Sequence, residues 1–537
     1  MIEESSPSLS GDDTVRGKVA EPVVSFDPLD MKNYALAKLP SMDIGRWMKA
    51  FKVIGLPLAV IAFLFFHLKW CGPIQMFDLQ TKINPPGLMY SATGLFFATL
   101  ILWISEALPN YLTSLIAIVV VIVVGIMKMR PAFAYLGEPV MVLNIGSFIM
   151  ASALVATGLA KRLSLVMVLK FGKSLTLIFM AFIALNVILG AFISATSAKT
   201  AILLPLFMVI AAIYGSVGGM QRNNVGRNLV LQNLLYNNVS ASGFITGSAA
   251  NLLAAQMLEK AGARVSYGLW LKALLPLAVI QCVIAWWTGT RFLLPISREE
   301  SVPKIEGGMQ RLRDELDRLG PISAAEIRAA VIFIAVLVLW ATESLHGIRA
   351  EVVAVGGACA VLLPSILGLP KFGVITWNDA DIPWHMLMFS WGAYVIGGMV
   401  DITNIVGLGV DAVFKVWGMS HSKVVIFIAL SSVFGFTTLI NESKTARTII
   451  MFPIMIGVAK KFGWDIIGFC LPMAFLINQV YVLYFNSKPA NISYLSNQYT
   501  MWESFKFGIT QLIIILVLLV LWTQYAMPLM GFNSRLW

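Results

Sequence analysis

Charge is what this sequence has least of. Of 537 residues, 12% are Asp, Glu, Lys or Arg, about half of the ~25% that a soluble domain carries. With 58% of the residues hydrophobic, there is too little polar surface to cover a water-soluble core. Cysteine and histidine are scarce too, with four of each. Cys71, Cys282, Cys359 and Cys470 are far apart and form no CxxC pair, so they read as packing residues. The histidines do not cluster, which argues against a haem or metal site, and no metal or cofactor is expected. A secretory signal is lacking as well. The chain opens on "MIEESSPSLSGDDTVRGK", polar and mixed in charge. Residues 1–50 therefore read as a disordered cytoplasmic tail.

Long apolar runs are what the sequence has in plenty. A helix needs about 20 apolar residues to cross a bilayer. Such runs lie near 52–70, 88–107, 109–127, 140–160, 268–295, 328–346, 350–369, 384–406 and 506–530. Four others are interrupted by polar tips: 175–214 by "SATSAKT", 228–262 by "TGSAAN", 421–459 by "NESKTART" and 464–500 by "NSKPAN". Irregular backbone at membrane depth survives only where protein or a water-filled cavity satisfies it. We therefore expect an all-α polytopic membrane protein of about 11 transmembrane helices, with re-entrant hairpins and broken helices.

The chain repeats itself. "LWISEAL" (Leu102–Leu108) matches "LWATESL" (Leu339–Leu345), "AKTAILLPL" (Ala198–Leu206) matches "ARTIIMFPI" (Ala446–Ile454), and "GSAANL" (Gly247–Leu252) matches "SKPANI" (Ser487–Ile492). The order is kept and the spacing is nearly constant. The expected layout is a first repeat over 51–296, a cytoplasmic linker with a short amphipathic helix over 297–327, and a second repeat over 328–537.

The net charge of +11 would suggest nucleic acid in a soluble protein. Here the basic residues sit in short loops, so positive-inside topology accounts for them and no nucleic-acid partner is expected. With a cytoplasmic N-terminus, Lys161, Arg162, Lys170, Lys173, Arg222 and Arg227 fall inside, whereas Lys128, Arg130, Lys460 and Lys461 dissent. Six crossings in the first half and five in the second invert the two repeats, a transporter plan. The partners implied are the lipid bilayer and a small anionic substrate, in a multi-pass protein of a bacterial inner or plasma membrane.

The tips hold the candidate site. The first offers Ser194, Thr196, Lys199 and Thr200; the second offers Ser443, Lys444, Thr445 and Arg447. A charge at membrane depth costs from a few to more than ten kcal/mol, so these cations need a reason. Helix N-termini favour anions, and hydroxyls donate to carboxylate, sulfate or phosphate oxygens. The broken helices add Thr246, Gly247 and Asn251 in one half, and Ser487, Lys488, Pro489 and Asn491 in the other. Plainer readings stand beside these. Lys488 has the option of snorkelling to the interface, and buried hydroxyls bond back to the i−4 carbonyl. Glu106 and Glu343, in the matched "LWxxExL" segments, fit structural partners better than proton sites. Asn238-Val-Ser and Asn491-Ile-Ser match the glycosylation pattern by chance, at membrane depth. Against the plain readings stands symmetry: Lys199 and Arg447 each precede a proline, Pro205 and Pro453, by six residues.

From about residue 88 to 530 the chain resembles the divalent anion/sodium symporter (DASS) family of the ion-transporter superfamily. That family carries Ser-Asn-Thr at each hairpin tip and a Thr-Pro-Pro-Asn-like motif in each unwound helix. Ser443-Lys444-Thr445 is similar to the first motif, as is Ser194-Ala195-Thr196 with one extra residue before "LLP"; Thr246 to Asn251 and Ser487 to Asn491 are similar to the second. The resemblance implies a homodimeric elevator carrier for di- and tricarboxylates or sulfate. Both motif asparagines are replaced, by Ala195 and Lys444. The expectation is a sodium-independent anion exchanger with Lys199, Lys444 and Arg447 as built-in counter-ions. The rivals are a sodium- or proton-coupled symporter of the same fold and, further off, a membrane-embedded enzyme, for which paired carboxylates or a His/Asp cluster are missing.

Overall fold

The structure, a computed structural model, describes residues 27–34, 46–68, 87–305, 307–364, 372–403, 405, 407, 422–439, 443–484 and 487–537. Most of the expected 1–50 tail, Cys71, and the end of the expected 350–369 span lie outside them. Within that tail, Met31–Tyr34 form a short 3-10 turn packed against the first hairpin, with Met31 buried. The apolar Met31 and Tyr34 side chains override the polar composition around them.

The described residues are all helical or irregular, with no strand among them. In chain order the first half holds α1 (Arg46–His67), α2 (Gly87–Ser105), α3 (Asn110–Val123), α4 (Met129–Ala134), α5 (Pro139–Ala156), α6 (Leu159–Phe171), α7 (Leu175–Phe192), α8 (Thr196–Ile213), α9 (Asn224–Ser242), α10 (Ala249–Lys260) and α11 (Tyr267–Thr288). The linker forms α12 (Gly308–Arg318), the expected amphipathic helix. The second half holds α13 (Ala324–Ala341), α14 (Glu343–His346), α15 (Ala350–Leu362), α16 (Trp384–Thr403), α17 (Lys423–Phe436), α18 (Lys444–Lys461), α19 (Ile466–Ala474), α20 (Lys488–Tyr494) and α21 (Met501–Leu521).

Eight helical stretches among the described residues are long and apolar enough to cross a membrane, and five shorter apolar helices accompany them. Burial sorts them. The first hairpin's second arm, Thr196–Ile213, is 78% buried, whereas Ala324–Ala341 is 28% buried. The latter turns Val331, Ile334 and Val338 outward, a greasy face suited to lipid. The sequence breaks fall where the polar tips stand: 193–195 between α7 and α8, and 243–248 between α9 and α10, where the chain passes through a single 3-10 turn.

The two halves interlock by exchange. α9 runs through the centre against α7, α8 and α11. Across the halves, α10 packs on α18, and its repeat mate α20 packs on α8, the mate of α18. Likewise α10 touches α19 while α20 touches α9. Reciprocal contact of this kind is the mark of an approximate two-fold relation. Around this centre, α1 packs on α2, α3 on α16, and α15 on both α5 and α13.

The linker is tied down at several points. The Lys304 and Ile305 amides both donate to the Ile213 carbonyl at the end of α8. Arg162 of α6 donates to Glu326 Oε1 (2.6 Å) and to the Gly320 carbonyl (2.8 Å), and Ser323 with Glu326 forms a capping box on α13.

Candidate functional site

Each hairpin turns on a residue that caps its second arm. Ser443 caps α18, its side chain accepting from the Ala446 amide; Ala195 occupies the same place before α8 and offers no side-chain cap. The first helical residues are therefore Lys444 and Thr196, equivalent by the repeat. They meet: Lys444 Nζ lies 3.4 Å from Thr196 Oγ1, and 3.0 Å from Asn238 Oδ1 of α9. Mates that touch one another lie on the pseudo-two-fold axis. The tips thus join at the centre of the molecule, with one ammonium between them.

Behind this contact the two matched cations do something different from Lys444. Lys199 is wholly buried, and its Nζ donates to the Asn237 carbonyl (3.1 Å) and Ser240 Oγ (3.2 Å) on α9. Arg447 is equally buried; it donates to Thr437 Oγ1 and the Phe434 carbonyl (both 2.9 Å) and to the Ile477 and Leu476 carbonyls (both 3.4 Å). Asn237 and Ile477 stand at nearly the same repeat spacing. Each cation therefore fastens its hairpin to the backbone of the broken helix beside it. The symmetry that marks Lys199 and Arg447 in the sequence is matched by a symmetry of hydrogen bonds to backbone carbonyls.

No carboxylate lies within ion-pair distance of Lys199, Lys444 or Arg447 among the described residues. Burying an ion without compensation costs several kcal/mol. Carbonyl dipoles answer most of that cost for Lys199 and Arg447. Lys444, half-buried, has one amide oxygen and one hydroxyl, and keeps donor capacity for an anion.

The remaining candidates divide. Thr200 Oγ1 bonds back to the Thr196 carbonyl (3.0 Å) and accepts from Asn237 Nδ2, and Thr445 is buried beside Lys444. Ser194 Oγ, buried at the first tip, has no partner among the described residues. The break residues close their own helices. Thr246 bonds the Ala191 carbonyl and Tyr267 Oη (both 3.3 Å), and Asn251 Nδ2 bonds the Ala241 and Phe244 carbonyls (both 2.8 Å). An added Cβ on Gly247 would collide with the Ala241 carbonyl, so only glycine fits that bend. Ser487 caps α20 with Pro489 in its first turn, as Ser248 caps α10. By the caps, Asn251 is the third residue of its helix and Asn491 the fourth, so the matched amides are out of register. Lys488 is exposed, unlike Lys199 and Arg447.

Sequence reasoning passed over the amides that build the centre. Asn237 and Asn238 on α9 hold both tips; Asn478 Nδ2 reaches Asn251 Oδ1 (2.9 Å) and Ser242 Oγ (3.3 Å). The signal was the run "YNNVSAS" inside an apolar segment, whose glycosylation pattern drew the eye instead. Glu106 and Glu343 are structural partners: Glu106 pairs with Lys52 (3.1 Å), and Glu343 holds Arg264 (2.6 Å) and the Tyr267 amide (3.1 Å). No group of three or more His, Cys, Asp or Glu suited to a metal occurs among the described residues.

Comparison with known proteins gives this geometry its context. The chain is similar to a protein of Cupriavidus necator described as a membrane protein, 26% identical over 74% of this chain and 79% of that one. It is similar to the sodium-dependent dicarboxylate transporter SdcS of Staphylococcus aureus, 23% identical over 89% of this chain and 91% of the relative. Among solved structures, the YdaH transporter of Alcanivorax borkumensis aligns over 91% of this chain and 99% of that chain, with a TM-score of 0.47 and 14% identity. The family described as the sodium:sulfate symporter transmembrane region matches residues 84–532. That match covers most of the sequence, and the chain belongs to this family of integral membrane transporters rather than to any class of enzyme.

Proposed function

We propose that this chain exchanges small divalent organic anions, di- or tricarboxylates, without sodium, using Lys444 as a tethered counter-ion. The observation that carries the proposal is the position of the Lys444 ammonium. It sits between the two tips on amide and hydroxyl oxygens, with no carboxylate in ion-pair reach among the described residues. A fixed ammonium repels a free cation at the same place, by several kcal/mol at intermediate dielectric. The dicarboxylate assignment follows the activity named for the Staphylococcus relative. Lys199 and Arg447, which the sequence suggested as further counter-ions, support the site as struts in this reading.

A fixed charge makes empty-site movement costly, so obligate exchange follows. We assign the motion to the hairpins and broken helices, sliding as an elevator against α1–α3, α5, α13, α15 and α16 in each protomer of a homodimer, with the repeats inverted and the 297–327 linker on the cytoplasmic side. The test is succinate uptake into proteoliposomes. Uptake should require internal succinate and be unchanged when choline replaces sodium. Accumulation in empty vesicles under a sodium gradient rejects the proposal. That result would favour the sodium-coupled symporter, for which Ser194 Oγ and Asn237 Oδ1, buried and without a partner among the described residues, supply oxygen ligands.

A further inference from the structure

The Lys444 ammonium is held from one side. Asn238 stands near the end of α9, about one turn before the break, and is wholly buried. Its Nδ2 donates to the Leu234 carbonyl (3.0 Å), a bond that fixes which way the amide faces. The other end, Oδ1, is turned to Lys444 Nζ at 3.0 Å. The residue before it works on the opposite tip, where Asn237 Nδ2 donates to the Thr196 carbonyl (2.8 Å). Thr196 Oγ1 is in turn the second acceptor of the ammonium, at 3.4 Å. Two adjacent amides on one helix therefore set where the tips stand and where the charge stands between them.

A plainer account is that Asn238 only bonds back to its own helix. Serine or threonine does that as well, and the bond uses Nδ2 alone, so Oδ1 is left unexplained. The second half supplies a contrast. By the sequence match, Asn478 is the counterpart of Asn238. It is equally buried, and its Nδ2 bonds Asn251 Oδ1 and Ser242 Oγ. Its Oδ1, however, has no partner among the described residues. The tip residue matched to Lys444 is the threonine Thr196. Where the tip brings no ammonium, the matched amide oxygen stands idle. The choice of an amide matters as well. It accepts a hydrogen bond without cancelling the charge. Aspartate has the same shape and would form a close ion pair with the lysine, which an arriving anion would have to displace.

We propose that Asn238 is a positioning residue for anion binding: its side-chain carbonyl holds the Lys444 ammonium between the tips and, being neutral, leaves that charge for the substrate. The inference rests on Lys444 being the counter-ion. The experiment is calorimetric titration of the full-length protein in nanodiscs with succinate and, separately, with sulfate, alongside the thermal unfolding midpoint of each variant. Asn238→Leu keeps the size and removes the acceptor. Affinity should weaken about tenfold, the scale of one charge-assisted hydrogen bond, with the midpoint unchanged. Asn238→Asp should abolish anion binding without lowering the midpoint, because its carboxylate takes the ammonium. Should the leucine variant fail to fold, the aspartate variant decides. Wild-type affinity in either variant, or a fallen midpoint with affinity unchanged, overturns the inference when Lys444→Asn has lost binding. Wild-type affinity in Lys444→Asn instead rejects the counter-ion reading itself, and a wild type that binds neither anion rejects both.

Discussion

Lys199, Lys444 and Arg447 look alike in the sequence, three cations at two tips, and the structure gives them unlike partners. Arg447 satisfies three backbone carbonyls and one hydroxyl. Arg447→Ala strands those acceptors, each worth about 1–3 kcal/mol when left unmade. We expect it to destabilise the fold by about 3 kcal/mol or more, seen as a clear fall in unfolding midpoint in detergent. Lys444→Asn should behave in the opposite sense, with an unchanged midpoint and a succinate affinity weakened at least about tenfold, roughly 1.4 kcal/mol. Glu343→Gln tests a buried acid. Because Glu343 pairs with Arg264, the pH profile of transport should be unmoved while stability falls; a shifted profile would make it a proton site. The sequence could place these side chains at the tips. It could not tell which faced carbonyls and which faced space, because that depends on where another helix is broken.

At the scale of the element, the breaks were legible and their register was not. Polar tips inside apolar runs can only be breaks, since irregular backbone needs local satisfaction, and 193–195 and 243–248 are both irregular as expected. The caps decide the register: Ser248 and Ser487 stand at equivalent places, one residue out of step with the match between Gly247 and Ser487. The amides of α9 went unread because they sit in a continuous helix, with no interruption to advertise them. Gly247→Ala offers a test of the first break. The added methyl meets the Ala241 carbonyl, and overpacking of this sort costs about 1–3 kcal/mol. Folded yield should drop, whereas Gly356→Ala, where a Cβ meets nothing within 4 Å, should be tolerated.

At the scale of the molecule, the duplication was visible in three short matches, and the reciprocal packing of α10 on α18 and α20 on α8 gives it a spatial form. The proposed division into moving and fixed parts runs between α10 and α16. A Cβ built on Gly397 of α16 would lie 3.9 Å from Met257 Cε of α10. Met257→Cys and Gly397→Cys, joined by a short reducible bis-thiol crosslinker, should therefore arrest succinate exchange and recover with reductant. Undiminished exchange by fully crosslinked protein would mean that the boundary lies elsewhere.

The exchanged packing also bears on how the chain is made. The partner that α8 settles against, α20, is nearly three hundred residues downstream. At ribosomal speeds of about 5–20 residues per second, the first hairpin waits about 15–60 s for it. Through that interval a buried lysine and its amide neighbours stand in the bilayer without half of their enclosure. Nascent chains stalled in this window should be prime targets of membrane quality-control proteases, and slowing translation late in the message should lower the yield of mature protein more than slowing it early.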